Sequence, residues 1–216
     1  MQASTTRVET FSDGVIAIVI TIMVLELKLP TYDENQGASD IQHHLIKVLP
    51  HFGAYVFSFI MIGILWTNHH HMFHLLERTD NVLLAQNLFF LFWMSLIPFV
   101  TGVLGGNPWL ATSTALYGFI MLMTTLSLSF MHSHTLNKHL VHTDKELDVE
   151  KKIEKVSIKG KTKTYVGSAA YLASVPLAFV SVYLSYICFI IPIVLFLWPE
   201  GIDEEKLADK VIEKNS

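Results

Sequence analysis

Long hydrophobic stretches, each bounded by polar or charged residues, alternate with short polar segments along the chain. The first of them runs from Gly14 to Leu25 and is interrupted only by Thr21. A stretch of about 20 apolar residues is long enough to cross the hydrocarbon layer of a bilayer as a helix. The pattern therefore predicts six transmembrane helices, at about residues 7–29, 42–72, 81–104, 108–134, 164–181 and 183–198.

Local signals place the ends of two of these helices. Thr6 and Glu9 have the spacing of a capping box, so the first helix is predicted to begin at Thr6. Asn107 is predicted to cap the fourth helix and Pro108 to occupy its first position, because proline needs no hydrogen-bond acceptor there.

The last hydrophobic run, residues 164–198, contains 35 residues without a formal charge. It is too long for one helix, so it predicts two short spans with a break between Ser181 and Ser185. The preceding segment, residues 136–163, is predicted to be a lysine-rich loop that is partly helical. The tail, residues 200–216, is predicted to be exposed.

Composition and charge agree with a membrane protein that forms one domain. Hydrophobic residues make up 51% of the chain and charged residues only 16%, against about 25% in soluble domains. The net charge of −4 gives no basic surface, which excludes nucleic acid as a partner. Eight of the 15 Lys and Arg residues lie in residues 136–163. Loops rich in Lys and Arg stay on the cytoplasmic side of a membrane. Residues 136–163 and both termini are therefore predicted to be cytoplasmic.

The first helix carries polar side chains near its N-terminal end, namely Arg7, Glu9, Ser12 and Asp13. Polar groups in a membrane helix are costly and are functional candidates for that reason. The alternative is that they anchor the helix end at the membrane interface. Arg7 and Asp13 face different directions, so each needs a partner from another helix or chain.

A second polar cluster closes the second helix and comprises Trp66, Asn68, His69, His70 and His74. His70 and His74 are spaced as two ligands of a zinc ion would be on a helix. The favoured alternative is a hydrogen-bond network with the carboxylate and serine of the first helix, which Asn87 of the third helix would join. We therefore predict no bound metal and no cofactor, with zinc at His70 and His74 as the alternative.

Known catalytic motifs and the TVGYG filter loop typical of potassium channels are missing from the sequence. An enzyme is therefore not predicted, although a membrane enzyme with a histidine-bound metal stays an alternative. The other alternative is a secondary transporter for a cation or proton, with Asp13 and the histidines as a relay. Inverted repeats and interrupted helices, which are typical of transporters, are not evident, but Pro176 and Pro192 leave this open.

The start of the first helix resembles a known family. Residues 7–13 contain the RxxxFSD signature of the transmembrane protein 175 family of potassium channels, in the residues Arg7, Phe11, Ser12 and Asp13. Trp66, His69 and His70 are similar to the residues that close the second helix in that family. A chain with one six-span unit resembles the prokaryotic members, which assemble four chains around an axis.

The resemblance implies a homotetramer in a bacterial inner membrane that conducts potassium and other monovalent cations. Its pore would be lined by four copies of the first helix, with hydrophobic rings at Ile18, Ile22 and Leu25 and a hydroxyl ring at Thr21. The spacing independently allows one helical stripe to present the three apolar residues to an axis, although such a stripe is also typical of lipid or core contact. The signature residues would hold helices together rather than contact ions.

Overall fold

The structure, a computed structural model, describes residues 4–27, 38–138, 140 and 147–197. Its regular elements are the helices α1 (Thr5–Ile22), α2 (Ala38–His74), α3 (Asn81–Ser95), α4 (Ile97–Gly106), α5 (Ala111–Asn137), α6 (Leu147–Val180) and α7 (Val182–Leu197), and a 3-10 segment, Met23–Glu26, that continues α1. The predicted all-α membrane fold is confirmed. Within the described ranges, four stretches are long and apolar enough to cross a membrane, namely Thr5–Glu26, Val48–His74, Asn81–Gly106 and Ala111–Asn137.

Helices α6 and α7 occupy the region of the last two predicted spans. They are separated at Ser181, inside the predicted break, and the apolar part of α7, Val182–Phe196, is shorter than the four spans above. Helix α6 already begins at Leu147, so residues 147–163 form the helical part of the segment that was predicted to be a partly helical loop. The predicted exposed tail lies outside the described residues.

Both predicted helix starts are displaced by a few residues. The N-cap of α1 is Ser4, whose backbone is extended with φ −65° and ψ 140°. An N-cap needs this conformation, whereas Thr6 is already helical and its carbonyl accepts a hydrogen bond from Thr10. Helix α5 begins at Ala111 after a turn at residues 107–109, so Pro108 lies outside it.

The third predicted span consists of two helices that meet at Leu96. Pro98 lies in the first turn of α4, and proline has no N–H with which to continue the hydrogen-bond ladder of α3. The break lies inside the predicted third span, residues 81–104, and the two helices together form the apolar stretch Asn81–Gly106. The Leu96 N–H still bonds the Trp93 carbonyl at 3.2 Å, so the two helices follow each other without a loop.

Helix α5 lies at the centre of the fold and packs against α3, α4 and α6, while α6 also packs against α7. The largest buried side chains between them are aromatic: the Tyr117 ring lies 5.2 Å from Phe189, and Tyr171 lies 5.8 Å from the same ring. Beside them, Thr101 donates a hydrogen bond of 2.8 Å to Ser58, which in turn lies 2.9 Å from the Tyr117 hydroxyl. This chain of hydroxyl groups connects α2, α4 and α5.

Two glycines of α4 allow neighbouring segments to approach closely. A Cβ atom at Gly105 would lie 2.8 Å from the Cα of His51 in α2. A Cβ atom at Gly102 would lie 2.2 Å from Oε2 of Glu26, which follows α1. The missing side chain of Gly102 therefore makes room for the Glu26 carboxylate at the C-terminal end of the α1 segment.

Asp80 connects the start of α3 to the end of α5. Its Oδ1 accepts a hydrogen bond of 2.7 Å from the Leu83 N–H, and its Oδ2 lies 2.8 Å from Nε2 of His134. Partial burial opposes ionisation, but the bonds from Leu83 and His134 outweigh it and hold the pKa of Asp80 below its ordinary value. The carboxylate form of Asp80 is thus favoured by the fold.

Replacing Asp80 tests this connection. Asp80→Ala removes the cap and should lower the free energy of unfolding by about 1 kcal/mol. Asp80→Asn keeps a capping oxygen, so it should lower the free energy of unfolding by less than Asp80→Ala does. Because the folded pKa is lowered, the advantage of aspartate over asparagine should be complete above the ordinary aspartate pKa and disappear as the pH falls through the lowered value. Melting temperatures in detergent across pH measure this, and a difference that grows on acidification would contradict it.

Candidate functional site

Helix α1 has one buried and one uncovered face. Its buried side chains, Val8, Ser12, Ile16 and Val19, recur every three or four residues and face α2, α3 and α4. The stripe predicted to line a pore lies away from these helices: Ile18 is 58% exposed, Ile22 44% and Leu25 69%. Thr21 is also exposed, and its hydroxyl donates to the Ile18 carbonyl at 2.9 Å.

Three fully buried polar side chains form a hydrogen-bonded chain across α1, α2 and α3. The Asn87 Nδ2 donates to the Ser12 hydroxyl at 2.8 Å, and its Oδ1 lies 2.8 Å from Nε2 of His69. The amide oxygen only accepts, so the Nε2 of His69 must carry the proton. The hydroxyl of Ser12 in turn donates to the Val8 carbonyl at 2.8 Å. Every member of the chain except Nδ1 of His69 thus has a partner in the described residues.

Aromatic rings hold this chain in place. The His69 ring stacks on Phe73 at 4.5 Å and on Phe90 at 5.3 Å between ring centroids. These contacts restrict rotation of the imidazole and keep its Nε2 directed at Asn87. Helix α2 is therefore attached to α3 by packing as well as by the hydrogen bond.

A second, less buried connection runs beside the first. The indole Nε1 of Trp66 donates to Oδ1 of Asp13 at 2.9 Å, and the Trp66 ring stacks on His70 at 5.3 Å with an angle of 20°. Asp13 thus has a partner on another helix, as the sequence required. The bond fixes the N-terminal half of α1 to the C-terminal end of α2.

Three residues of the predicted network lie apart from it. The Asn68 side chain donates to the Ile64 carbonyl of its own helix at 2.7 Å, a local bond that competes with contacts to other helices. Arg7 and Phe11 are exposed on the side of α1 that carries Ile18, and the Arg7 side chain has no hydrogen bond or ion pair with another described residue. These two side chains face away from the bundle of one chain.

Sequence reasoning named Glu9 among the polar side chains at the end of the first helix but gave it no partner. Its Oε1 lies 3.1 Å from Nδ1 of His70 and 3.8 Å from Nε2 of His74. The signal was present, because Glu9 precedes Asp13 by four residues and so lies on the same face of α1. Sequence reasoning also did not single out Glu26, whose carboxylate lies in the space beside Gly102.

Together these features define an all-helical membrane protein whose N-terminal helix is held by polar side chains on one face and uncovered on the other. The family model described as the endosomal/lysosomal potassium channel TMEM175 matches residues 7–98. A protein of Chryseobacterium sp. named as a potassium channel is 32% identical over 203 residues, which cover 94% of this chain and 97% of that protein. The chain therefore belongs to the TMEM175 family, and the resemblance to that family is confirmed.

Two further relatives extend the comparison. The crystal structure of a lysosomal potassium-selective channel TMEM175 homolog from Chamaesiphon minutus superimposes with a TM-score of 0.70 at 29% identity, covering 89% of this chain and 96% of that chain. A protein of Bos taurus named as the endosomal/lysosomal proton channel TMEM175 is 40% identical over 91 residues, 38% of this chain and 18% of its own length. The relatives' names thus include both potassium and proton channels.

Removal of the central amide tests the buried chain of hydrogen bonds. Asn87→Ala leaves the His69 Nε2 without its acceptor and should lower the free energy of unfolding by about 1–3 kcal/mol. Asn81→Ala, which changes an exposed asparagine of the same helix, is the matched control and should have little effect. Thermal unfolding in detergent measures both, and equal melting temperatures would contradict the importance assigned to Asn87.

Proposed function

We propose that this chain forms a potassium-preferring cation channel in which four copies of α1 line a central pore. The observation that carries the proposal is the uncovered stripe of Ile18, Thr21, Ile22 and Leu25 on a helix whose other face is fixed to its own chain. The names of the Chryseobacterium and Chamaesiphon relatives support potassium as the permeant ion.

Association of several chains follows from the side chains left uncovered on α1. Arg7 and Thr21 lie on the same side of the helix as the apolar stripe, and a guanidinium facing lipid is costly. Closed symmetry lets identical surfaces meet without leaving an open edge, and the resemblance to prokaryotic members favours four chains. In this arrangement the uncovered face of α1 contacts its copies and the central axis.

The remaining parts of the topology belong to the same proposal. The second half of α6 and helix α7 form the fifth and sixth spans, with lysines at the start of the fifth extending to the headgroups. The lysine-rich segment and both termini then lie in the cytoplasm of a bacterial cell. The N-terminal end of α1, with Glu9 and Asp13, forms the cytoplasmic mouth.

A hydrophobic constriction controls the flow of ions in this arrangement. Rings of Ile18, Ile22 and Leu25 offer no oxygen atoms to replace the water around an ion, so a narrow pore excludes water and blocks conduction. Opening must therefore widen the rings. The Thr21 hydroxyl uses its proton on the Ile18 carbonyl, which leaves oxygen lone pairs for a cation. Potassium loses its water more easily than sodium, so a tight, wet pore prefers potassium.

Replacing one apolar ring tests the pore. Ile18→Asn should wet the constriction and increase the potassium current of purified protein in planar bilayers several-fold, because the amide holds water where isoleucine excludes it. Leu172→Asn changes an equally exposed aliphatic residue, 61% against 58%, on α6, and should leave the current unchanged. No change in current or selectivity with Ile18→Asn would contradict a pore lined by α1.

The ion and the mode of transport are decided in the same recordings. A reversal potential that follows the potassium gradient supports the proposal. A reversal potential that follows the pH gradient instead would point to proton conduction, the activity in the name of the bovine relative.

A secondary transporter is the second candidate, because proline lies inside both α6 and α7. Flux above about a million ions per second per molecule excludes it, since the motions of alternating access take about a microsecond at the fastest.

Loss of the bond between α1 and α2 should impair assembly. Asp13→Ala removes the acceptor of the Trp66 indole, so the uncovered stripe is no longer held at a fixed angle to its copies. We expect a smaller tetramer fraction by size-exclusion chromatography with light scattering. Asp13→Asn keeps an acceptor oxygen and should retain more tetramer. A stable Asp13→Ala tetramer with normal conductance would refute this role.

A further inference from the structure

We propose that Glu9, His70 and His74 form a binding site for a divalent transition-metal ion of the zinc class. One ligand atom from each residue lies within 4.8 Å of the other two. A tetrahedral zinc ion with bonds of about 2.0–2.1 Å holds its ligand atoms about 3.4 Å apart. Small rotations of three side chains are therefore enough to enclose an ion.

The existing contacts leave the histidine nitrogens available to a metal. Nδ1 of His70 is 3.1 Å from the Glu9 carboxylate, yet this pair lacks the alignment of a hydrogen bond and the nitrogen has no other partner among the described residues. It is His69, on the neighbouring face of α2, that takes part in the buried chain with Asn87. The network that sequence reasoning favoured for these histidines thus leaves His70 and His74 unused.

The ligand types select the ion. Two imidazoles and one carboxylate are ligands that zinc accepts, with a fourth position left for water. Potassium, a hard cation, has no preference for imidazole nitrogen. The site is therefore not one for the permeant ion, although Glu9 also belongs to the proposed cytoplasmic mouth.

Neighbouring side chains position the ligands. The Trp66 ring stacks on His70 and its Nε1 is bound to Asp13, so the orientation of the imidazole is fixed by the same bond that attaches α1. Partners of this kind orient a metal ligand before the ion arrives. The side chains of Glu9, His70 and His74 are 18%, 32% and 36% exposed. An ion can approach from the side of the exposed His74, while Nδ1 of His70 is itself buried and would enclose it.

A bound ion would connect the first turns of α1 directly to the last turns of α2, because Glu9 belongs to one helix and both histidines to the other. It would add a bond beside that of Asp13 and Trp66 and restrain the N-terminal end of α1. Its effect on current rests on the proposed function, since widening the constriction requires α1 to move. We therefore expect zinc to reduce the potassium current.

Binding is measured without reference to conduction. Full-length protein, purified in detergent and freed of metal, is titrated with ZnCl₂ by calorimetry and with Co²⁺ by its visible absorption. We expect about one ion per chain, and affinity about tenfold or more weaker in Glu9→Gln and in His74→Asn. Glu77→Gln removes an exposed carboxylate outside the cluster and should bind as the wild type does. Equal affinity in all three variants would overturn the site.

Regulation is measured separately in bilayers. Zinc on the side of the chain termini should reduce the potassium current of the wild type and of Glu77→Gln, and should reduce that of Glu9→Gln and His74→Asn several-fold less. Equal inhibition of all proteins would overturn the link between the site and α1. A protein that binds zinc but conducts no ion would refute the proposed channel and leave the metal site supported by the titration.

Discussion

The buried amide of Asn87 is the interaction on which the arrangement of this chain most depends. Inside a membrane no water is available to a polar group, so its hydrogen bonds must come from other side chains or from backbone. Asn87 meets this requirement with Ser12 on one side and His69 on the other. A change in the rotation of α1 or in the height of α2 would break one of the two bonds.

Fixing Ser12 also fixes the direction of the rest of α1. Six residues turn a helix through about 600°, so Ile18 points about 120° away from Ser12. The apolar stripe is therefore uncovered as a direct consequence of the polar contact one and a half turns earlier. The bond of Trp66 to Asp13 also fixes the rotation of α1, since Asp13 follows Ser12 and faces α2.

The helices and the residues that meet between α1, α2 and α3 were largely predictable, because hydrophobic periodicity and the cost of polar groups in lipid are local properties of the sequence. Ser12, Asp13, Trp66, His69 and Asn87 were predicted as a group and lie together. The absence of Asn68 from this group was not predictable. Its side chain donates to the Ile64 carbonyl of its own helix, and this local bond competes with bonds to other helices. The break at Leu96 has a local cause, Pro98, which was not used in the prediction, whereas the place of Glu9 depends on packing of α1 against α2. Spacing alone does not encode these contacts.

The two ends of the α1 segment are held differently, and this bears on how a pore lined by it would open. The N-terminal half is fixed by hydrogen bonds to two helices, whereas the C-terminal end is a 3-10 segment, Met23–Glu26, beside the glycines of α4. A 3-10 stretch, which is common at the ends of helices, has poorer hydrogen-bond geometry than an α-helix. Leu25 lies in this segment, while Ile18 lies on the α-helical part next to the anchored end. Widening at Leu25 therefore needs only local bending, but widening at Ile18 requires α1 to move together with α2 and α3.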